Sequence, residues 1–323
     1  LYEVDVPEKP SDNWLKQVSY FLTCSYLKLV VKIKKWLHII TVKEIYLGLI
    51  FILPIANLEK NGQRQLKKCI QKVKRLMKKY HVQQIVLAEE LRINEMFLQE
   101  FQSNRKVEEQ VHILDGTGMM PYLVKDIVEF ISQKQGRTPE LEDLYLLIKK
   151  EDYSYKDNIV FLAQHFKTVN IVTTSLKAYQ KFAKQLEEEQ DIIVTVTNNK
   201  KKSLKRARWI INFDLMTQEI QKYTINRNAT IIYLNKQGIY EQNNFEGLHI
   251  CRAGIDVSQE IKDFFEKQHL LNQCSLTILY ESTIEKGKSF RKVIEGIQKD
   301  KVKVKRLYGR RGILAEKEYA NIE

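Results

Sequence analysis

Asp143-Leu-Tyr-Leu-Leu-Ile-Lys149, followed by Lys150-Glu-Asp-Tyr-Ser-Tyr155, decides how this chain folds. The first segment is an apolar run of strand length, and the second is the turn that leaves it. Helical spacing follows over 156–166, an apolar strand over Val169–Thr173, a helix over 176–189 and a strand over Ile192–Thr197. A short helix over 201–207 and a strand over Trp209–Phe213 continue the series, so residues 142–214 form an unbroken β-α-β-α-β unit. Apolar strands that alternate with helices predict a parallel sheet covered on both faces. In such a sheet a phosphate-binding turn after the first strand carries G-x-G-x-x-G, because only bare backbone lets a pyrophosphate reach the helix N-terminus. Lys150–Tyr155 contains no glycine. The β-α-β wrapping is present, and the cradle is missing.

Downstream, Thr230–Leu234 extends the sheet, and after Gly247 the periodicity weakens. His249–Cys251 and Leu276–Tyr280 are expected as strands, Gln259–Lys267 and Ile284–Gln298 as helices, and Lys299–Gly312 as a basic tail. Upstream, Leu47–Ile55 is a continuous apolar strand. Gly62–Tyr80 is an amphipathic helix with Leu66, Cys69, Ile70, Val73, Leu76, Met77 and Tyr80 on one face. Gln84–Ala88 and Val111–Leu114 are further strands, and Asn94–Gln102 and Met120–Gln135 are helices. These elements define a first α/β lobe over 41–137 and a second over 142–323, with a cleft between them. Gln135-Gly-Arg-Thr-Pro139 marks the boundary, because Gly and then Pro end one segment and open another.

The chain has 323 residues, enough for two cores, and its 12 glycines and 5 prolines leave little room for loop-rich structure. Its net charge of +13 favours an anionic partner such as nucleic acid, anionic lipid or a phosphorylated ligand; a solvated lysine-rich surface is the simpler account. Cys24, Cys69, Cys251 and Cys274 lie far apart without a C-x-x-C, as reduced thiols of a cytoplasmic protein do. The longest uncharged run, Ile45–Leu58, is short of the roughly 18–20 apolar residues of a membrane span, and no secretory signal pattern opens the chain. Residues 1–40 form a basic segment. Over 12–40, Leu15, Val18, Leu22, Leu29, Ile33, Trp36 and Ile40 recur at near-helical spacing among Lys28, Lys32, Lys34 and Lys35. Such a helix packs on its own lobe or on a second subunit, as an oligomer contact. An anionic membrane surface is the less favoured seat.

Three segments carry a resemblance to a known family. Val169-Asn-Ile-Val-Thr-Thr-Ser175 leading into Leu176-Lys-Ala178 resembles the second strand of the shikimate-dehydrogenase-like and glutamyl-tRNA-reductase-like NAD(P)-binding Rossmann proteins. Ser203-Leu-Lys-Arg-Ala207 with Trp209-Ile-Ile-Asn-Phe213 is similar to their A-D-I-V-I-N-A strand. The two-lobed layout with the cofactor lobe second is similar too. The match covers about 75 residues, and the chain as a whole resembles uncharacterised proteins of clostridia and their relatives. The resemblance implies two Rossmann-like α/β lobes with mainly parallel sheets. Its departures imply a degenerate site: the glycine turn is gone, and Thr173, Thr174 and Ser175 stand where an Asp or Glu would hold a ribose hydroxyl. No Lys–Asp catalytic pair can be placed. A non-catalytic or divergent protein that binds an anionic small ligand or nucleotide at the interlobe cleft follows, with a nucleotide or NAD(P) as the cofactor class and a divergent NAD(P)-dependent oxidoreductase as an alternative.

Ligands of open parallel sheets lie beyond the strands' carboxyl ends. Those ends carry Lys149, Lys150, Thr173, Thr174, Ser175, Asn198, Asn199, Lys200, Asn212, Asp214 and Asn235, a cationic rim able to hold an anionic small ligand without glycines. Ordinary capping also makes strand ends polar. Asp115-Gly-Thr-Gly118 is a tight turn or a phosphate cradle, with Asp115 facing the cleft. Asn198–Arg208, the helix 61–80 and the tail 299–311 give a second function class, a nucleic-acid- or ribonucleoprotein-associated binding protein, against a plain solvated face. Histidines 38, 81, 112, 165, 249 and 269 are scattered, so no metal is assigned.

Overall fold

The computed structural model describes residues 41–45, 48–52, 63–102, 111–235, 245–284 and 287–320. The helix expected over 12–40 lies outside these residues. The chain divides into two compact units, Leu1–Ile113 and Leu114–Glu323.

In the first unit, β1 (Thr41–Ile45) pairs antiparallel with β2 (Gly48–Ile52), Thr41 opposite Ile52 and Ile45 opposite Gly48. Strand–helix alternation suggested a parallel sheet here. Two residues between the strands exclude it, because a parallel return needs a crossover of a dozen residues or more. Helix α1 (Gln63–Lys79) buries Leu66, Cys69, Ile70, Val73 and Met77 of the stripe its sequence predicts, while Leu76 is half-buried and Tyr80, just past the helix, is exposed. That stripe meets Leu87 with Phe97 and Phe101. Helices α2 (Glu89–Arg92) and α3 (Glu95–Gln102) follow β3 (Gln84–Val86). On α3, Phe97 and Phe101 stack with centroids 5.6 Å apart. β3 pairs with β4 (His112–Leu114), within which the two units divide.

In the second unit, α4 (Met120–Lys134) precedes β5 (Asp143–Ile148), α5 (Ser154–His165), β6 (Thr168–Thr173), α6 (Leu176–Gln190) and β7 (Val194–Thr197). Next come α7 (Lys200–Arg206), β8 (Trp209–Asn212), α8 (Thr217–Ile220), β9 (Thr230–Tyr233) and β10 (Leu248–Ile250). The six strands β5 to β10 form one parallel sheet in the order β10-β9-β8-β5-β6-β7. Numbered from β5, that is 6-5-4-1-2-3, the order of the doubly wound dinucleotide-binding fold. Burial explains why these strands are legible as continuous apolar runs. Leu146, Ile171, Ile211 and Ile232 enter one core, and their neighbours Leu147, Val172, Ile210 and Ile231 enter the other. Successive residues point to opposite faces, and both faces are covered.

The contacts divide the chain at 113/114 and not at 135–141, because α4 buries Leu123, Val124, Ile127, Val128 and Ile131 in the core that holds Leu146 and Ile171. A second, antiparallel sheet joins β11 (Arg252–Asp256), β12 (Lys303–Gly309) and β13 (Gly312–Ile313). The basic tail is thus mostly strand. Helices α9 (Gln259–Lys267), α10 (Leu276–Glu281), α11 (Phe290–Lys299) and α12 (Glu316–Ala320) accompany it. Leu276–Tyr280 is helical and not the strand expected, because periodicity alone cannot tell a short buried apolar run in a helix from one in a strand. Tertiary context decides: Thr277 Oγ1 donates to the Ala253 carbonyl at 3.1 Å and accepts from Ile255 N at 3.2 Å. Among the described residues no helix is long and apolar enough to cross a membrane.

Two half-buried groups make opposite contributions to acid stability. His249 Nδ1 lies 2.9 Å from the Tyr233 hydroxyl, and its ring packs against Tyr233 and Phe245. Burial, with Arg310 second, pulls its pKa down to about 4. Burial pushes the Asp126 carboxyl up to about 6. Between pH 6.5 and 4 the unfolded chain binds more protons at His249, so that contribution is lost as pH falls. At Asp126 the folded chain binds more, so stability there is gained as pH falls below 6. Urea titrations should show Asp126→Asn stabilising the protein by on the order of 2 kcal/mol at pH 7 and by much less at pH 4. His249→Asn should flatten the loss between pH 6.5 and 4. Unchanged pH profiles in both variants would remove this assignment.

Candidate functional site

The strand order reverses between β5 and β8, so the carboxyl edge of the sheet there is the topological switch point. β5 ends there in Lys149 and Lys150. Their backbone amides point toward β8, where a phosphate would be received, and a side chain meets them. Asp214 Oδ1 accepts from Lys149 N at 2.6 Å, and its Oδ2 accepts from Lys150 N at 3.0 Å. The carboxylate is set by the turn that follows β8. Buried Asn212 clasps Leu215 twice, its Oδ1 accepting from Leu215 N and its Nδ2 donating to the Leu215 carbonyl, both at 3.0 Å. Phe213 N donates to the Leu147 carbonyl at 3.0 Å, so the turn carrying Asp214 is tied directly to β5.

The carbonyls of the same two residues are held from the other side. Thr174 Oγ1 and Ser175 Oγ donate to the Lys149 carbonyl at 3.1 and 3.3 Å, and the Tyr179 hydroxyl donates to the Lys150 carbonyl at 3.3 Å. Burial pushes the Tyr179 phenol up to about 12, so it stays a donor. Thr173 Oγ1, fully buried, accepts from Ser175 N at 3.0 Å and shapes the turn into α6. Just ahead of α5, Asp152 Oδ1 accepts from Ser154 N at 2.8 Å and from Ser154 Oγ at 2.7 Å, an Asx turn into the helix. Helix N-terminus and β5 turn, the two parts of a pyrophosphate cradle, are each occupied by a carboxylate of the chain.

The side chains above this clamp are mixed in charge. Lys149 Nζ pairs with Glu219 at 2.6 Å, and this contact holds the Glu219 carboxyl below its ordinary range. Asn199 caps α7 by accepting from Lys202 N at 3.0 Å, and the Asn198 carbonyl accepts from Lys200 N at 2.8 Å. Lys200 is half-buried. Burial first, then the cations Lys149 and Lys222, pull its pKa down, against the opposing pull of Glu219 and Asp214. Lys149, Lys150, Thr173, Thr174, Ser175, Asn198, Asn199, Lys200 and Asp214 thus lie along this rim, at the ends of β5, β6, β7 and β8, with Lys150 exposed.

Asp115 belongs to a different turn, after β4. Its Oδ1 accepts from Thr117 N at 3.0 Å and from Thr117 Oγ1 at 2.5 Å. The amides of that turn are also filled: buried Glu281, on α10, accepts from Gly116 N at 2.6 Å and from Gly118 N at 2.9 Å. Gly116 has φ +90, which side-chain-bearing residues rarely adopt, and a Cβ at Gly118 would sit 2.2 Å from Glu281 Oε1. This turn is a packing clasp, and its anion comes from 165 residues downstream. Sequence reasoning missed Glu219, Glu281, Asp152 and Tyr179. Only Asp152, two residues before a helix-starting serine, had a local signal, that of a cap. No cluster of His, Cys, Asp or Glu able to hold a metal occurs among the described residues.

No protein-family model matches this chain, and no curated protein does. Among solved structures, the L-tryptophan dehydrogenase from Nostoc punctiforme is similar at 9% sequence identity and a TM-score of 0.28, over 78% of this chain and 68% of that one.

Asp214→Ala should strip two charge-assisted hydrogen bonds from the β5 turn and lower the unfolding free energy by about 2–4 kcal/mol. Asp214→Asn, which keeps one acceptor, should cost less. Gly118→Ala should destabilise by about 1–3 kcal/mol through its collision with Glu281. Urea midpoints measure all three, and wild-type midpoints throughout would contradict the clamp and the clasp.

Proposed function

We propose that the chain is a non-catalytic or divergent Rossmann-like protein that binds an anionic small ligand, a nucleotide or phosphorylated metabolite, at the carboxyl rim of its parallel sheet. The observation that carries this reading is the pairing of Asp214 with the amides of Lys149 and Lys150 at the point where strand order reverses. A dinucleotide held by backbone would have to displace that carboxylate. Recognition therefore falls to side chains, with Lys150 and Lys200 supplying charge and Thr174 and Asn199 supplying hydrogen bonds. The turn after β5, Lys150–Tyr155, carries no glycine to bring a pyrophosphate onto its backbone.

Thermal-shift and calorimetric titrations with ATP, GTP, nucleoside monophosphates, sugar phosphates and NAD(P)H test it. At least one phosphorylated compound other than NAD(P)H should bind, and Lys150→Ala with Lys200→Ala should weaken it by roughly tenfold or more. NADH fluorescence should be unchanged on adding protein. Absence of binding across the panel would end the proposal. Enhanced NADH fluorescence lost in the same variants would favour the divergent oxidoreductase instead.

A further inference from the structure

We propose that the exposed face of α1 docks duplex DNA along its phosphate backbone. Residues 63–79 contain no Asp or Glu. At 3.6 residues per turn, Lys67, Lys68, Lys72, Arg75, Lys78 and Lys79 fall within an arc of about 140°. Five of these are exposed and Lys72 is half-buried. Along this face like charges sit at helical-neighbour spacing, Lys68 with Lys72, Arg75 with Lys79 and Arg75 with Lys78, so each pair opposes the helix that carries it. Lys67 reaches Glu100 at 3.3 Å, and no described ion pair relieves Lys68, Arg75 or Lys78. Such repulsion is relieved by an anion that spans the face.

The opposite side of the helix separates the candidate anions. Leu66, Cys69, Ile70, Val73 and Met77 are spent in the unit's own core, and Lys74, on the same side, donates to the Glu100 carbonyl at 3.2 Å. No apolar face remains to enter a lipid interface, as membrane-surface helices require. Single-stranded nucleic acid needs aromatic platforms for its bases. Among the described residues of α1 and its end the exposed ring is Tyr80, just past the helix, with Lys79 Nζ 5.3 Å from its centroid. Seventeen residues span about 25 Å, a length over which B-DNA presents a charge about every 1.7 Å of axis. The wide major groove of B-DNA admits a helix, whereas that of A-form RNA is deep and narrow.

Fluorescence anisotropy of the full chain with a labelled DNA duplex longer than the helix tests this. Binding should weaken about 10²-fold between 50 and 200 mM salt, as roughly four phosphate contacts predict. Lys68→Glu with Arg75→Glu and Lys78→Glu should lose at least about tenfold in affinity and flatten the salt slope by roughly 3, with circular dichroism and the thermal midpoint unchanged or raised. Lys201→Glu with Lys202→Glu and Lys205→Glu should bind as wild type. The proposal is overturned if the α1 variant keeps wild-type affinity, if binding ignores salt, or if duplex RNA or phosphatidylglycerol vesicles bind as tightly as DNA.

Discussion

Burial of both faces of the six-stranded parallel sheet is the constraint on which the rest of the second unit depends. Each strand must offer apolar side chains on successive residues, which is why Leu146 and Leu147, or Ile210 and Ile211, can lie side by side in sequence and in separate cores. At about 1.5–3 kcal/mol for each fully buried large side chain, the sheet can hold few polar groups between its layers. Of the buried polar residues in these strands, Thr173 and Asn212 stand at the last residues of β6 and β8 and turn their hydrogen bonds toward the rim, and Thr230 opens β9 at the opposite edge. Polar chemistry is thereby swept to the strand ends. The same packing that stabilises the sheet gathers the rim.

What the rim does is governed by a second constraint, that backbone amides freed by a strand's end must be satisfied. A dinucleotide fold leaves such amides for phosphate. Here Asp214 takes those of Lys149 and Lys150, Asp152 takes that of Ser154, and Glu281 takes those of Gly116 and Gly118. At Lys149, Lys150 and Ser154 the carboxylate satisfies the amides without a cofactor and without glycine, whereas Glu281 reaches its two amides only because Gly118 carries no Cβ. Once a carboxylate holds the amides of Lys149 and Lys150, the β5 turn has no need of a phosphate-binding glycine.

The strands of the second unit were legible because burial on two faces writes itself as unbroken apolar runs. Lys149, Lys150, Thr174, Ser175 and Asp214 were legible as a group because strand ends in this topology converge. The sense of Asp214 was not: an acid beside two lysines suggests a ligand contact, whereas its partners are the lysines' own amides. Glu281 had no local signature, since its partners lie 165 and 163 residues away. The six residues of α10 were too few for a period to show, and the β1–β2 hairpin was hidden because Leu47–Ile55 looks continuous while Thr41–Ile45 alternates only weakly.

The charge balance at the rim follows from the same carboxylates. Asp214 neutralises the partial positive charge that the β5 amides would otherwise direct at a ligand, and Glu219 engages Lys149 in a close pair. Lys150 is left pointing to solvent, and Lys200 is held among opposing charges where burial makes its ammonium easier to discharge. A negative charge brought to Lys200 would favour that ammonium. The charge state of Lys200 is thus tied to the charges that face it, Glu219 and Asp214 against Lys149 and Lys222.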